Sequence, residues 1–464
     1  MKDDSVIMMN KVIIILFIIF SVFVCAALGQ GTPQSKKAPK ALAEIDTTLW
    51  KYLSATDRSQ GKITKDDSLQ IIKDYVLPGA TVFRKSTEIY NQISQKKTTV
   101  EQEASNLISL LEEAKDYFEQ GLMLNPFDNY IRPALTNTYT RLEQLYAYKK
   151  ETIKRLQLLN NLLYLRTDPK QRLYLFNSIG MIYRGFESWE PARDNFDLAV
   201  QAIFEVDEAT VDSIKLFNNI YLRGEAQLKL YQDEPALTSF TYARMIVPDE
   251  NLDAQITNLI DFINWDGGNI RASEKYRDAR KLYGEKKHDE SEQLFLELLK
   301  IVTTKNATNQ AQLDLARMQF YQLDKKDEAV DRLWNVVNKY PLDPNSGVPI
   351  DSTYQDLWTQ YSQMCLRMGV QNYNTDKRAS FAYFLKTSQI NGASRGQAFL
   401  NLAMMSALNP QICLNYCTQA LDYLQQFNQE DKKSLFQTIY QAYLKQGDFE
   451  EALKWFKKYR EMTS

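Results

Sequence analysis

The chain has 464 residues, of which 44% are hydrophobic, 12% aromatic and 25% charged, enough apolar material for one long or two medium folded units. Its 56 basic and 58 acidic residues leave a formal net charge of −2, which excludes the global positive field that attracts nucleic acid or an anionic membrane. Glycine (16) and proline (13) are scarce, which disfavours repetitive β architectures and favours helix.

The first predicted element is a secretory signal peptide. Residues 12–24, VIIILFIIFSVFV, are almost entirely apolar; they follow Lys11 and are followed by the small-residue run AALG. This three-part plan is typical of a signal peptide, and cleavage after Gly29 would make Gln30 the mature N-terminus. We therefore expect removal of residues 1–29 and export of the protein to the periplasm or the cell surface.

Two alternatives remain open for this segment. Residues 12–28 come close to the roughly 20 apolar residues that span a bilayer, so the segment could stay in place as a membrane anchor. Cys25 could instead carry a lipid, although the bulky Val24 before it disfavours this modification. In each case the protein is exported, and membrane contact is expected only through an uncleaved N-terminal segment.

Residues 30–95 are predicted to be a tether followed by an N-terminal capping segment. The stretch QGTPQSKKAPKALA at 30–43 has no apolar period and contains two prolines and three lysines. Helical fragments follow, and they are interrupted at Pro78 and Gly79.

From about residue 100 onward, apolar residues recur at intervals of three and four, as expected for successive amphipathic helices. The segment 434–462, SLFQTIYQAYLKQGDFEEALKWFKKYREM, resembles the tetratricopeptide repeat, a 34-residue helix pair defined by residue sizes. Gly447 takes the turn, Ala452 the small twentieth site and Phe456 the aromatic twenty-fourth site, whereas Tyr440 is too large for the eighth site. Small residues are needed where two helices approach closely.

Further copies of this pattern lie upstream. Gly180, Ala192 and Phe196 mark the copy at 175–199. In another copy the corresponding residues are Gly224, Ala236 and Phe240, and Pro248 terminates the second helix. Weaker copies occur around 271–303, where Ser291 replaces the alanine, and around 310–341, where Ala329 keeps it. A further weak copy lies at 401–424, where Cys413 and Cys417 take the twentieth and twenty-fourth sites. Segment 351–390 is predicted to be helical but cannot be aligned firmly with the repeat.

The resemblance implies an all-α fold: an α-solenoid, wound as a right-handed superhelix, of irregular tetratricopeptide-like helix pairs. The spacing between copies varies, so extra helices and loops must be inserted. Gly267 and Gly268 form the best candidate for a hinge or boundary. We therefore expect an N-terminal array at 96–265 and a C-terminal array at 266–464.

The residues that usually carry catalysis are scarce. His288 is the single histidine, which argues against histidine-based catalysis and multi-histidine metal sites. The sequence has no Gly-rich phosphate loop and no G-x-S-x-G elbow. Cys365, Cys413 and Cys417 are expected to be small buried hydrophobes. We therefore expect no enzymatic activity, no catalytic residues, no cofactor and no metal site.

The resemblance also implies that the first helix of each pair lines a concave groove. Tyrosine and arginine are the side chains most often found as binding anchors, because they combine a large contact area with a polar end. The candidate groove residues are Tyr174, Asn177, Arg184, Tyr221, Glu225, Tyr276, Arg280, Tyr283 and Tyr321. The alternative is that these tyrosines pack between neighbouring helices. The lysine and asparagine pair by which some members grip a C-terminal carboxylate does not occur at the corresponding sites.

These patterns predict a non-enzymatic interaction scaffold of the bacterial cell envelope that binds a segment of a partner protein, and no nucleic acid, in its groove. The alternative is an outer-membrane glycan-binding protein of the nutrient-uptake type, since such proteins also contain tetratricopeptide helices. Glycan binding would need exposed, coplanar aromatic side chains on loops. The positions of the tryptophans should therefore separate the two hypotheses.

Overall fold

A computed structural model describes residues 46–53, 65–205 and 212–462. Within these ranges the chain is a succession of α-helices joined by turns, and its β contact is an isolated antiparallel bridge between Leu342 and Pro349. The predicted all-α class is confirmed. The signal peptide, the alternative membrane anchor, Cys25 and most of the tether lie outside the described residues.

The helices are numbered in chain order through the described ranges. They are α1 (Trp50–Leu53), α2 (Lys65–Ile71), α3 (Leu77–Ser94), α4 (Val100–Leu124), α5 (Ile131–Lys149), α6 (Thr152–Leu165), α7 (Pro169–Gly185), α8 (Trp189–Phe204), α9 (Ser213–Lys229), α10 (Asp233–Met245), α11 (Glu250–Asn264), α12 (Ile270–Gly284), α13 (His288–Leu298), α14 (Lys305–Tyr321), α15 (Lys326–Val337), α16 (Gln355–Asn372), α17 (Lys377–Ser388), α18 (Ala393–Met405), α19 (Pro410–Leu421), α20 (Gln429–Gln446) and α21 (Phe449–Glu461). A π-helical turn, Ile72–Val76, joins α2 to α3. None of the described helices is both long enough and apolar enough to cross a bilayer.

Consecutive helices pack as antiparallel pairs of the tetratricopeptide kind. The pairs are α3/α4, α5/α6, α7/α8, α9/α10, α12/α13, α14/α15, α16/α17, α18/α19 and α20/α21, and α11 stands between the fourth pair and the fifth. Within each pair, the helix that comes earlier in the chain is the first helix and the other is the second helix.

Local sequence signals set the helix ends. Thr99 caps α4 through a capping box, in which its side chain accepts from the backbone N–H of Gln102 and the Gln102 side chain accepts from Thr99. Asp168 caps α7 ahead of Pro169, whose missing N–H is not needed in the first turn. Gly447 ends α20 with a φ of 85°, a left-handed conformation that glycine adopts without strain.

Small residues lie where the helices of a pair approach each other. Ala192, Ala236 and Ala452, which take the twentieth site in three copies, are all buried. In α7, a Cβ added to Gly180 would lie 2.7 Å from Cε1 of Phe196 on α8. The pairing therefore depends on the absence of a side chain at this site.

Segment 351–390 also forms such a pair, although its sequence does not align firmly. A Cβ added to Gly369 of α16 would lie 2.6 Å from Cε1 of Phe384 on α17, the same glycine and phenylalanine contact. Ser380 replaces the alanine and donates a 2.8 Å hydrogen bond to the Gly369 carbonyl. Ser291 on α13 donates a bond of the same length to the Ala279 carbonyl. A serine fits this buried site because the facing backbone satisfies its hydroxyl.

A buried carboxylate ties the α12/α13 pair to the next one. Glu292 on α13 accepts hydrogen bonds from Nε2 of Gln319 (2.7 Å) and Nζ of Lys325 (2.5 Å). Burial alone would raise the pKa of Glu292, but these hydrogen bonds outweigh it, so the pKa lies below its ordinary value. The charged form of Glu292 thus favours the folded state.

The described chain forms two compact units that divide between Asn258 and Leu259, inside α11. Gly267 and Gly268, the predicted boundary, lie in the turn after this helix with φ angles of 65° and 104°. The buried Asp266 beside them accepts hydrogen bonds from the backbone N–H groups of Thr303 (2.9 Å) and Thr304 (2.7 Å). The turn is therefore fastened to the start of α14.

Candidate functional site

In the first unit, two of the candidate groove residues bind each other. Arg184 on α7 donates to Glu225 on α9 through Nε (2.7 Å) and Nη2 (2.9 Å), a bidentate pair between consecutive first helices. These hydrogen bonds raise the pKa of Arg184. Asn177 makes a second bridge with its 2.8 Å hydrogen bond to the side-chain oxygen of Asn219. Much of the hydrogen-bonding capacity here is used within the protein.

The two tyrosines of this unit differ in their surroundings. Tyr174 is exposed over half its surface, and its hydroxyl lies 3.4 Å from the Glu143 carboxylate. Tyr221 is half-buried and meets the Phe240 ring edge-on at a centroid distance of 5.7 Å. Burial, followed by the charge of Glu225, raises the pKa of Tyr221. Tyr174 can contact a ligand, whereas Tyr221 mainly packs.

In the second unit, Tyr276 and Arg280 of α12 converge on Asp314 of α14. The Tyr276 hydroxyl donates to the Asp314 carboxylate at 2.8 Å, and Nη1 of Arg280 donates to the same oxygen at 3.0 Å. The Tyr276 ring also stacks on Trp265 at 4.2 Å. Burial and the Asp314 charge together raise the pKa of Tyr276. This cluster joins two first helices and leaves Tyr276 little free surface.

Tyr283 lies at the end of the same helix. It is partly exposed, and its ring centroid is 5.4 Å from that of His288, which begins α13. In the part of the chain that the structure describes, no group of three or more His, Cys, Asp or Glu side chains is arranged to hold a metal ion. The candidate residues of α12 make aromatic contacts, hydrogen bonds and an ion pair with their neighbours.

Tyr321 lines a cavity of about 520 Å³ between the first helices α14 and α16. Its ring is partly exposed, and the Arg367 guanidinium lies 5.0 Å above the ring centroid. Leu366 and Val370 form the α16 wall, and Val370 is 57% exposed. The site thus combines an apolar wall with a cation stacked on an aromatic ring.

Leu366, Arg367 and Val370 are absent from the sequence-based candidates because segment 351–390 could not be aligned. If Gly369 is taken as the small eighth site, the fifth and ninth sites, which the family resemblance assigns to the groove, become Leu366 and Val370. The signal that could have found them is Gly369 followed by Phe384.

The residues that line the cavity carry more positive than negative charge. Lys326 pairs with Asp324 at 2.8 Å, and both residues line the cavity with Arg367. One positive charge therefore remains in excess, since the acid neutralises one of the two bases. An approaching acidic side chain would be favoured here over a basic one.

A smaller cavity of about 250 Å³ lies between the first helices α18 and α20. Met404 of α18 faces Gln437, Gln441 and Lys445 of α20 across it. Nζ of Lys445 donates to the Ala407 carbonyl at 2.9 Å. Both cavities lie between consecutive first helices of the second unit, and we call the surface formed by α12, α14, α16, α18 and α20 the first-helix face.

The tryptophans do not form the arrangement expected for glycan binding. Trp50, Trp189, Trp334, Trp358 and Trp455 lie on helices. Trp334 is partly exposed but stacks on Tyr361 at 5.6 Å, and Trp265, which follows α11 in a turn, is covered by Tyr276. All six tryptophans of the sequence lie within the described ranges, and none is an exposed ring on a loop that other side chains leave uncovered.

The three cysteines of the described chain are buried. Cys365, Cys413 and Cys417 are unpaired and buried, as predicted. Burial raises the pKa of the Cys365 thiol to about 12. Thiolate chemistry at Cys365 is therefore suppressed in the folded state.

No family model and no curated protein matches this chain. The similar solved structures include the C-terminal part of a TPR repeat-containing protein from Cytophaga hutchinsonii, at 14% identity and a TM-score of 0.24, over 56% of this chain and 98% of that one. They also include a Rap protein complexed with Competence and Sporulation Factor, at 13% identity and a TM-score of 0.20, over 83% of this chain and 98% of that one. Because these sequence identities and TM-scores are low, the tetratricopeptide-like fold is established by the helix pairs themselves.

Proposed function

We propose that this chain is a non-enzymatic scaffold that binds a segment of a partner protein on the first-helix face of its second unit. The observation that carries the proposal is the cavity at Tyr321, Arg367 and Val370. Its apolar wall can bury one or two side chains of a peptide, and the stacked guanidinium can bind an acidic group beside them. Tyrosine and arginine are enriched among the residues that carry most of the binding energy at protein interfaces.

The bound segment is expected to be short or extended rather than a folded domain. The two cavities are separate, with volumes of about 520 and 250 Å³, and each lies between two first helices. An extended chain can place side chains in both cavities while its backbone crosses α16 and α18, the two first helices that lie between them. The larger cavity favours an apolar residue next to an acidic one, and the smaller, amide-lined cavity favours a polar residue.

The same proposal places the protein in the bacterial cell envelope. Its support is the sequence of residues 12–29 alone, with its apolar run and small-residue end. Mass spectrometry of the purified protein's N-terminus tests this part. A first residue of Gln30 supports cleavage of the signal peptide. An intact N-terminal segment supports the membrane anchor, and a lipid on Cys25 supports lipid attachment. An intact chain in the cytosolic fraction contradicts export.

A pull-down tests the binding surface. Tagged wild-type protein and the double variant Tyr321→Ala/Arg367→Ala are incubated with envelope extract, and the recovered proteins are quantified. Loss of two anchors at the centre of a contact typically weakens binding about tenfold or more, so the partner should be lost. Tyr130→Ala, at an exposed tyrosine in the first unit, is the matched control and should recover the partner as the wild type does. Equal recovery by all three proteins contradicts the proposed surface.

A further inference from the structure

The second helix of the pair α20/α21 exposes a stripe of large apolar side chains. Phe449 is 71% exposed, Leu453 55% and Phe456 37%. The spacing of four and three residues places them on one side of the helix. We call these three residues the α21 stripe. Contiguous exposed apolar surface of this kind commonly marks an interaction site.

Equivalent residues in other pairs show why the stripe is unusual. Phe196 of α8 and Phe384 of α17 take the same twenty-fourth site as Phe456, and both are fully buried. The next helix along the chain packs against α8 and against α17, whereas α21 is the last helix of the described chain. The α21 stripe therefore has the composition of a contact surface, and no later helix of the described residues follows to cover it.

The charges along α21 indicate what could cover it. Its first turn carries Glu450 and Glu451, and its last turn carries Lys458 and Arg460. If a second α21 lay alongside in the same direction, like charges would meet at both ends. In the opposite direction, the acidic turn of each helix would meet the basic turn of the other.

We propose that the α21 stripe binds the same stripe of a second copy of this chain, with the two helices antiparallel about a two-fold axis. About such an axis, the residues on one side of the stripe lie next to the residues on the same side of the stripe in the other copy. Glu450 and Lys457 are seven residues apart and share one flank. With the helices crossing near Leu453, each Glu450 therefore lies beside Lys457 of the other copy.

The size of the stripe sets the strength of this dimer. A fully buried aromatic side chain covers about 150–250 Å², so the exposed parts of the three residues amount to roughly 300 Å² in each copy. Stable complexes bury about 800 Å² on each partner. The contact is much smaller than this, so the dimer is expected to be weak and to depend on concentration.

Sedimentation equilibrium of the purified protein, between micromolar and millimolar concentrations, tests the proposal. Wild-type protein should change from monomer to dimer across this range, and Leu453→Glu should remain monomeric. Leu408→Glu is the matched control, since Leu408 is 95% exposed on the loop after α18 and should leave the dimer unchanged. A wild type that stays monomeric, or a Leu453→Glu variant that still dimerises, overturns the proposal.

Charge exchange tests the antiparallel geometry. Glu450→Lys and Lys457→Glu should each raise the dissociation constant roughly three- to tenfold, because like charges then face each other across the two-fold axis. The double variant restores opposite charges and should return the constant to within about twofold of the wild type. Glu450 also pairs with Lys454 of its own helix at 3.6 Å, but that contact cannot produce such a rescue. Failure of the double variant to recover overturns the antiparallel assignment.

Discussion

A single methyl group at Gly180 should destabilise the protein although it favours the helix. Replacing a helical glycine by alanine normally stabilises a helix by about 0.5–1 kcal/mol. At Gly180, however, the new Cβ would lie 2.7 Å from Cε1 and 2.9 Å from Cδ1 of the fully buried Phe196. Overpacking of this kind costs about 1–3 kcal/mol, so we expect Gly180→Ala to be destabilising by roughly 1 kcal/mol.

The same helix offers a matched control. A Cβ added to Gly185, at the end of α7, meets no atom within 4 Å, so Gly185→Ala should keep the gain in helix propensity. The two variants should therefore differ by about 2 kcal/mol in free energy of unfolding. Phe196→Leu added to Gly180→Ala should relieve part of the clash.

Urea unfolding followed by far-ultraviolet circular dichroism measures the global effect. Because the chain has two units, hydrogen exchange of the α7 and α8 amides measures the local effect separately. Equal stability of the two glycine variants would show that close approach of the helices does not depend on a missing side chain.

The contacts of three other side chains predict further effects. A double-mutant cycle on Arg184 and Glu225 should give a coupling of about 0.5–1 kcal/mol, measured by urea unfolding, since the pair is bidentate but partly exposed; no coupling would contradict the bridge. The folded-state pKa of Glu292 lies below its unfolded value, so its contribution to stability is present above the unfolded pKa and is lost as the pH falls from the ordinary glutamate pKa, about 4.3, through the lower folded-state pKa. Unfolding curves across this range should show a smaller acid loss for Glu292→Gln than for wild type, and parallel losses would contradict this role. Asp266→Ala should lower the free energy of unfolding by about 2–4 kcal/mol, because two backbone N–H groups lose their acceptor, and Asp266→Asn should lower it less. An Asp266→Ala variant as stable as the wild type in the same urea assay would show that water replaces the carboxylate.

The fold could be predicted because helix pairing depends on side-chain volume. Ala192, Ala236 and Ala452 recur at the site where two helices approach, and a small residue there is needed whatever surrounds it. The α16/α17 pair escaped alignment because Gly369 and Ser380 are 11 residues apart, whereas the corresponding contact in the α12/α13 pair spans 12. A turn shorter by one residue shifts the register that a fixed pattern needs.

The candidate site could be predicted only in part. The resemblance places side chains such as Arg184 and Tyr276 on the first helices, but it cannot tell whether they face a ligand or each other. Arg184 and Glu225 are 41 residues apart, and their contact depends on the lateral distance between α7 and α9. The sequence carries no local signal for that distance, so the tyrosines' alternative role in packing could be assessed only from coordinates.

Site-specific photo-cross-linking can show which face of the second unit binds the partner. A photoreactive amino acid replaces Val370 on the first-helix face or, as the matched control, Leu385, an exposed apolar residue on the second helix of the same pair. After illumination of cells, we expect one defined adduct at Val370 that disappears with Tyr321→Ala, and none at Leu385. The same adducts at both positions, or an adduct at Leu385 alone, would contradict binding on the first-helix face.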